Sequence, residues 1–218
     1  MRLARIIPLL ILALLTGREA LVAGSLAISV TDRNGAPVAN AVVYATATGS
    51  NAAAGHSQQV IDQQNKQFIP YVTAVQVGTS ILFPNKDHIR HHVYSLSPAK
   101  RFELPLYAGI PAAPVVFDKV GFVTLGCNIH DWMVAYIAVL PTPYFGVTGS
   151  NGRVTMKDLP PGGYLVAAWH PLLKGSPDQL GQQLSLTTKE THNLTFTLDL
   201  KPDFRTRRAP ELSTGGYP

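Results

Sequence analysis

Cysteine, charged side chains and helical patterns are all scarce in this sequence of 218 residues. Charged residues make up only 14% of the chain, and we find no basic stripe with interleaved aromatic residues, which argues against a nucleic-acid partner. Runs rich in Ala, Glu, Lys and Leu are missing after the N-terminus, which argues against a helical bundle. The 17 prolines and 18 glycines are scattered along the chain and favour many short strands joined by turns.

The N-terminus carries the features of a secretory signal peptide. Arg2 and Arg5 precede a short apolar run, and small residues surround Gly24 and Ala27. The run is shorter than the roughly 20 apolar residues that a membrane span needs. We therefore expect residues 1–24 to be cleaved near Gly24 or Ala27, which predicts a periplasmic protein with no stable membrane span.

Cys127 is the only cysteine, so an exported chain cannot use it for an internal disulfide. Such a cysteine is buried and inert, pairs between chains, or takes part in chemistry. Its neighbours favour chemistry, because two loop segments carry side chains that bind soft metals. Residues 125–133 hold a thiolate, an imidazole and a thioether, which belong to Cys127, His130 and Met133. Residues 84–93 hold three histidines: His88, His91 and His92.

A thiolate, two imidazoles and a weak axial thioether form the ligand set of a blue-copper electron-transfer site. Adjacent strand residues face opposite ways, so only one of His91 and His92 can point at the metal. His88 is expected to be a solvated loop residue. The fourth ligand is Met133 or, in its place, Asp131 or a backbone carbonyl.

These two segments resemble the cupredoxin family, and more closely a bacterial cupredoxin-like group labelled methylamine utilization proteins. His91 matches the first ligand of the family's His-x-Val motif, and the Cys-His-Met loop supplies the others. The resemblance implies a Greek-key β-sandwich that holds one type 1 copper ion. The ligands it implies are His91, Cys127, His130 and Met133.

The segments on either side resemble the ends of a carboxypeptidase-regulatory-like sandwich at residues 32–38 and 158–164. We expect an all-β protein in which a cupredoxin sandwich is inserted into, or packed beside, a second Ig-like sandwich. The expected divisions are a signal peptide, first Ig-like strands, a cupredoxin domain, remaining Ig-like strands and a disordered tail, at residues 1–24, 25–50, 56–141, 142–200 and 201–218. A single continuous sandwich is the alternative.

Strand patterns at residues 26–30 and 41–45 predict a hairpin around a turn at 32–35, and residues 145–148 and 154–156 predict another. Residues 72–82 predict one continuous strand.

Function follows from the copper site. We expect one-electron transfer, without enzymatic activity, to a redox partner protein that docks near His130. The alternatives are copper storage or delivery without redox turnover, a copper enzyme, and a metal-free scaffold in which Cys127 is merely buried.

Overall fold

A computed structural model describes residues 23–49, 54–111, 113–187 and 190–203. Most of the expected signal peptide and most of the expected tail therefore lie outside the described residues. The described part contains no α-helix and one 3-10 turn, Pro177–Leu180, and none of its helices is long and apolar enough to cross a membrane. The expected all-β class is confirmed.

Seven strands from the two ends of the chain form what we call the flanking sandwich. Its strands are β1 (Gly24–Asp32), β2 (Val42–Ala47), β13 (Phe145–Val147), β14 (Arg153–Leu159), β15 (Gly162–Trp169), β16 (Gln182–Leu186) and β17 (Thr191–Leu198). One sheet has the order β14-β1-β17 and the other β13-β2-β15-β16. Strand β1 is central in its sheet, antiparallel to β14 and parallel to β17. Its alternation of buried and half-buried residues places Leu26, Ile28 and Val30 in the core between the sheets.

The intervening residues form the central sandwich. Its strands are β3 (Gln58–Val60), β4 (Asp62–Gln64), β5 (Gln67–Ile69), β6 (Val72–Gln76), β7 (Thr79–Leu82), β8 (His91–Ser97), β9 (Lys100–Tyr107), β10 (Val115–Phe117), β11 (Gly121–Gly126) and β12 (Val134–Leu140). They form a five-stranded sheet of order β6-β12-β11-β8-β9, a three-stranded sheet of order β10-β7-β3, and the ribbon β4-β5. A separate hydrophobic core lies within these strands.

Strand β12 connects the two cores because nearly all of its side chains are buried. Ala135, Ile137 and Val139 belong to the central core, while Tyr136, Ala138 and Leu140 join the flanking core. Its neighbour β11 adds Phe122, whose ring stacks on Trp169 of β15 at a centroid distance of 4.2 Å. An uninterrupted apolar run is what a strand covered on both faces requires.

Both predicted hairpins are wrong. Strands β1 and β2 lie in different sheets of the flanking sandwich, as do β13 and β14, so each short turn carries the chain from one sheet to the other. The predicted strand at 72–82 is also divided, because Gly78 adopts a φ of +93° between β6 and β7, which again lie in different sheets. The same turn residues can join two strands of one sheet or two strands of facing sheets. The packing of the two sheets against each other decides which of these forms.

Candidate metal centre

Strand ends of the five-stranded sheet bring the predicted site residues to one place. His91 begins β8, Cys127 follows β11, and His130 and Met133 precede β12. Gly126 pairs with Val134 of β12 on one side and with Tyr94 of β8 on the other. The loop after β11 is therefore held beside the start of β8, although the two are far apart in sequence.

His91, Cys127 and His130 form a compact group whose potential ligand atoms all lie within 4.8 Å of one another. The Cys127 Sγ is 4.0 Å from His91 Nδ1 and 3.9 Å from His130 Nδ1. Donors this far apart can contact one ion at bond lengths of roughly 2.0–2.3 Å, as thiolate and imidazole make to zinc. The three residues can therefore hold a single metal ion.

The group is shielded from solvent on one side and open on the other. His91 is 0% exposed and Cys127 is 5% exposed, whereas His130 is half-buried and its loop neighbours Asn128, Ile129 and Asp131 are exposed. Burial lowers the pKa of His130 below its usual value, with further contributions from His91 and Lys66 and an opposing one from Asp87. His130 is therefore the member through which solvent or a partner approaches the group.

The other residues of the two sequence motifs differ in burial and in hydrogen bonding. His92 points away, with its Nε2 2.8 Å from Glu103 Oε1, and His88 is exposed. Met133 is 1% exposed and its backbone N–H donates to the His130 carbonyl at 2.9 Å. Asp131 is exposed and does not belong to the three-residue group.

Asp87 holds the far side of the His91 ring. Its Oδ2 lies 2.7 Å from His91 Nε2, and a carboxylate that only accepts requires Nε2 to carry the hydrogen. In a neutral ring the lone pair is then on Nδ1, the atom that faces Cys127. Burial tends to raise the pKa of Asp87, but hydrogen bonds from the Lys66 backbone, His91 and the Asn65 backbone lower it below its ordinary value.

Asn85 orders the loop that carries Asp87 into β8. Its Nδ2 donates to the carbonyls of Ile89 at 2.8 Å and Tyr107 at 2.9 Å, and its Oδ1 accepts from the Asp87 N–H at 3.0 Å. The Tyr107 hydroxyl donates to the Phe83 carbonyl. Burial raises the pKa of Tyr107 to about 12, against a lowering contribution from Gln63, and Cys127 raises it further. The loop is therefore fixed by side-chain hydrogen bonds at both of its ends.

No protein-family model and no curated protein matches the chain. Among solved structures, a purple cupredoxin from Nitrosopumilus maritimus aligns at 24% identity and a TM-score of 0.33, over 38% of this chain and 98% of that one. A copper-containing nitrite reductase from Thermus scotoductus SA-01 aligns at 23% identity and a TM-score of 0.37, over 44% and 25%. A Cu(I) amicyanin variant aligns at 20% identity and a TM-score of 0.34, over 44% and 99%. The chain is similar to cupredoxins.

The donor set itself suits copper on chemical grounds. Thiolate is a soft ligand, imidazole suits copper well, and a site of two histidines and one cysteine with a weak fourth ligand is the arrangement of blue-copper proteins. The Cys127 Sγ and both Nδ1 atoms converge on one place. The sequence alone does not point to Asp87, Asn85 or Tyr107, although Asp87 lies within the histidine-bearing segment.

Proposed function

We propose that the protein is a periplasmic type 1 copper protein that carries single electrons. The observation that supports this most directly is the convergence of Cys127 Sγ with the Nδ1 atoms of His91 and His130 in a mostly buried pocket. Copper supplies a one-electron couple when it is bound in such a ligand set. His91, Cys127 and His130 would hold it, with the buried Met133 as the fourth ligand.

The surrounding chain has the features that a rigid redox site needs. Burial of His91 and Cys127 excludes water, and the Asp87 carboxylate holds the His91 ring in one tautomer. The half-buried His130 and the exposed Ile129 beside it form the approach for a redox partner protein. Carrying electrons, rather than catalysing a reaction, suits a site in which Met133 would complete the three donors and leave no open position for a substrate.

We also propose that the chain is exported and that it folds as two domains. Cleavage near Gly24, rather than Ala27, would keep the fully buried Leu26 in strand β1. Residues 56–141, which include the strands of the central sandwich, would be the copper domain. The flanking sandwich would be the second domain, completed by strands from both ends of the chain.

The test is a visible absorption spectrum of the mature protein loaded with Cu(II), repeated after reduction and reoxidation. We expect an intense thiolate-to-copper band that bleaches and returns, and that is lost in Cys127→Ser. The matched control is Ser95→Ala, which removes a buried hydroxyl outside the three-residue group. Binding of colourless Cu(I) without a reversible band would favour copper storage or delivery, and a folded protein that binds no copper would refute the proposal.

A further inference from the structure

The two-residue turn between β4 and β5 is hydrogen-bonded to one neighbour of each histidine of the metal centre. Asn65 and Lys66 have φ values of 55° and 57°, the pair of positive angles that defines a tight type I′ hairpin turn. Their backbone N–H groups donate to the two carboxylate oxygens of Asp87, at 2.7 Å from Asn65 and 2.8 Å from Lys66. Asp87 in turn holds His91.

The opposite side of the same turn holds the second histidine. The Trp132 Nε1–H donates to the Lys66 carbonyl at 3.1 Å, and the indole ring lies 5.1 Å, centroid to centroid, from the His130 ring. Trp132 follows His130 by two positions in the short segment before β12. The backbone of Lys66 therefore lies between two arms: its N–H bonds to Asp87, which reaches His91, and its carbonyl bonds to Trp132, which reaches His130.

We propose that the Asn65–Lys66 turn is a clamp that positions both imidazoles of the metal centre, through Asp87 and Trp132. These are positioning residues, because neither touches the place where a metal would lie between Sγ and the two Nδ1 atoms. Both arms consist only of the chain's own residues, so we expect the clamp to set ring orientation before any metal binds. Its effect on copper rests on the proposed function, whereas its effect on the rings does not.

The arms use backbone atoms of the turn, which determines which substitutions break the clamp. Asp87→Asn leaves one acceptor oxygen where three donors converge, so either His91 or a turn N–H loses its partner. Trp132→Phe removes the donor to Lys66 and retains an aromatic ring beside His130. Lys66→Gly keeps both peptide contacts and suits a positive φ, so it leaves the clamp intact.

The first readout uses the metal-free protein. Nitrogen NMR of the imidazoles should show one His91 tautomer, hydrogen on Nε2, in the wild type and in Lys66→Gly. In Asp87→Asn we expect a mixture of tautomers or amide exchange at Asn65 and Lys66 at least about tenfold faster, because those N–H groups lose a carboxylate acceptor. Trp132→Phe should also speed exchange at the Lys66 N–H, which Trp132 does not contact.

The second readout is the Cu(II) dissociation constant. Loss of an outer hydrogen-bond partner of a ligand weakens metal binding by about 10–100-fold. We expect that range for Asp87→Asn and a non-multiplicative effect in the double variant with Trp132→Phe, because one turn serves both arms. Matched controls are Asp118→Asn, whose carboxylate contacts Lys100, and Trp169→Phe, whose ring stacks on Phe122.

Each outcome bears on one proposal. Unchanged tautomer and amide exchange in both Asp87→Asn and Trp132→Phe would overturn the clamp, whether or not copper binds. Independent, multiplicative effects on copper would also overturn it, because the two histidines would then be held separately. A wild type that shows the NMR signature but takes no copper would refute the copper function and leave the clamp standing.

Discussion

The His91 Nδ1 and the Cys127 Sγ lie 4.0 Å apart although 36 positions separate the two residues in the chain. The neighbouring His92 is nearly as buried, yet its ring contacts Glu103 on the opposite face of β8. Side chains alternate between the two faces of β8, so these two adjacent histidines lie in different surroundings.

This pair gives the first prediction. His91→Ala should weaken Cu(II) binding by more than the roughly 10–100-fold that follows loss of an outer partner, because it removes a ligand. His92→Ala should leave copper affinity unchanged and cost about 0.5–3 kcal/mol of stability, because it removes a buried ring while its pair with the exposed Glu103 contributes little. Copper titration and urea unfolding of both variants measure the difference, and equal losses of affinity would show that the assignment of His91 is incorrect.

Copper itself should stabilise the fold selectively. At a free copper concentration of 100 times the dissociation constant, linkage gives about 2.7 kcal/mol of added stability. We expect that gain in the transition of the central sandwich, where all three donors lie, and none in Cys127→Ala. Calorimetry with and without copper tests this, and a gain that persists in Cys127→Ala would place the bound metal elsewhere.

The stacked rings of Phe122 and Trp169 should couple the two sandwiches. A double-mutant cycle to leucine is expected to give an interaction energy of about 0.5–1.5 kcal/mol beyond the burial of each ring. Unfolding of the double variant should separate into two transitions. The control is the pair Tyr144 and Tyr164, 6.0 Å apart, whose rings both belong to the flanking sandwich. Two transitions in the control but not in the test pair would refute the expected two-domain organisation.

Two turn glycines should respond differently to alanine. Gly152 has a φ of +68°, and an added Cβ would lie 2.5 Å from the Val30 carbonyl oxygen and 3.0 Å from the Val38 nitrogen. Gly35 has a φ of +81°, but an added Cβ would meet nothing within 4 Å. We expect a loss of about 1–2 kcal/mol for Gly35→Ala from the backbone angle alone. Gly152→Ala should lose a further 1–3 kcal/mol or so from overpacking. Chemical denaturation checks the order, and similar losses would contradict the steric argument.

The two segments of the candidate metal centre could be identified from the sequence because their ligand-type residues are close together in the chain. Cys127, His130 and Met133 lie on one short loop, and the alternation of β8 separates His91 from His92. The role of Asp87 could not be predicted in the same way, since its partners Asn65 and Lys66 come from a turn more than 20 positions earlier. Tight hairpin turns are recognised in a sequence mainly by glycine, which this turn lacks, so the sequence does not predict its positive φ angles.

The hairpin errors have a related cause. The turns at residues 32–35 and 150–152 have the residues of tight turns, and such turns join strands within a sheet as readily as between sheets. The β1 strand instead pairs with β14 and β17, and this choice depends on which apolar faces meet in the core. Local patterns in the sequence therefore predict where strands occur, whereas the partners of each strand depend on tertiary packing.

The central position of β1 has a consequence for the order of folding. Its parallel partner β17 begins at Thr191, so the sheet that contains β1 can close only after a strand that is synthesised much later. The strands of the central sandwich pair only among themselves and can assemble earlier. The central sandwich could thus be complete while β1 is still unpaired, with free strand edges exposed to other chains in the meantime.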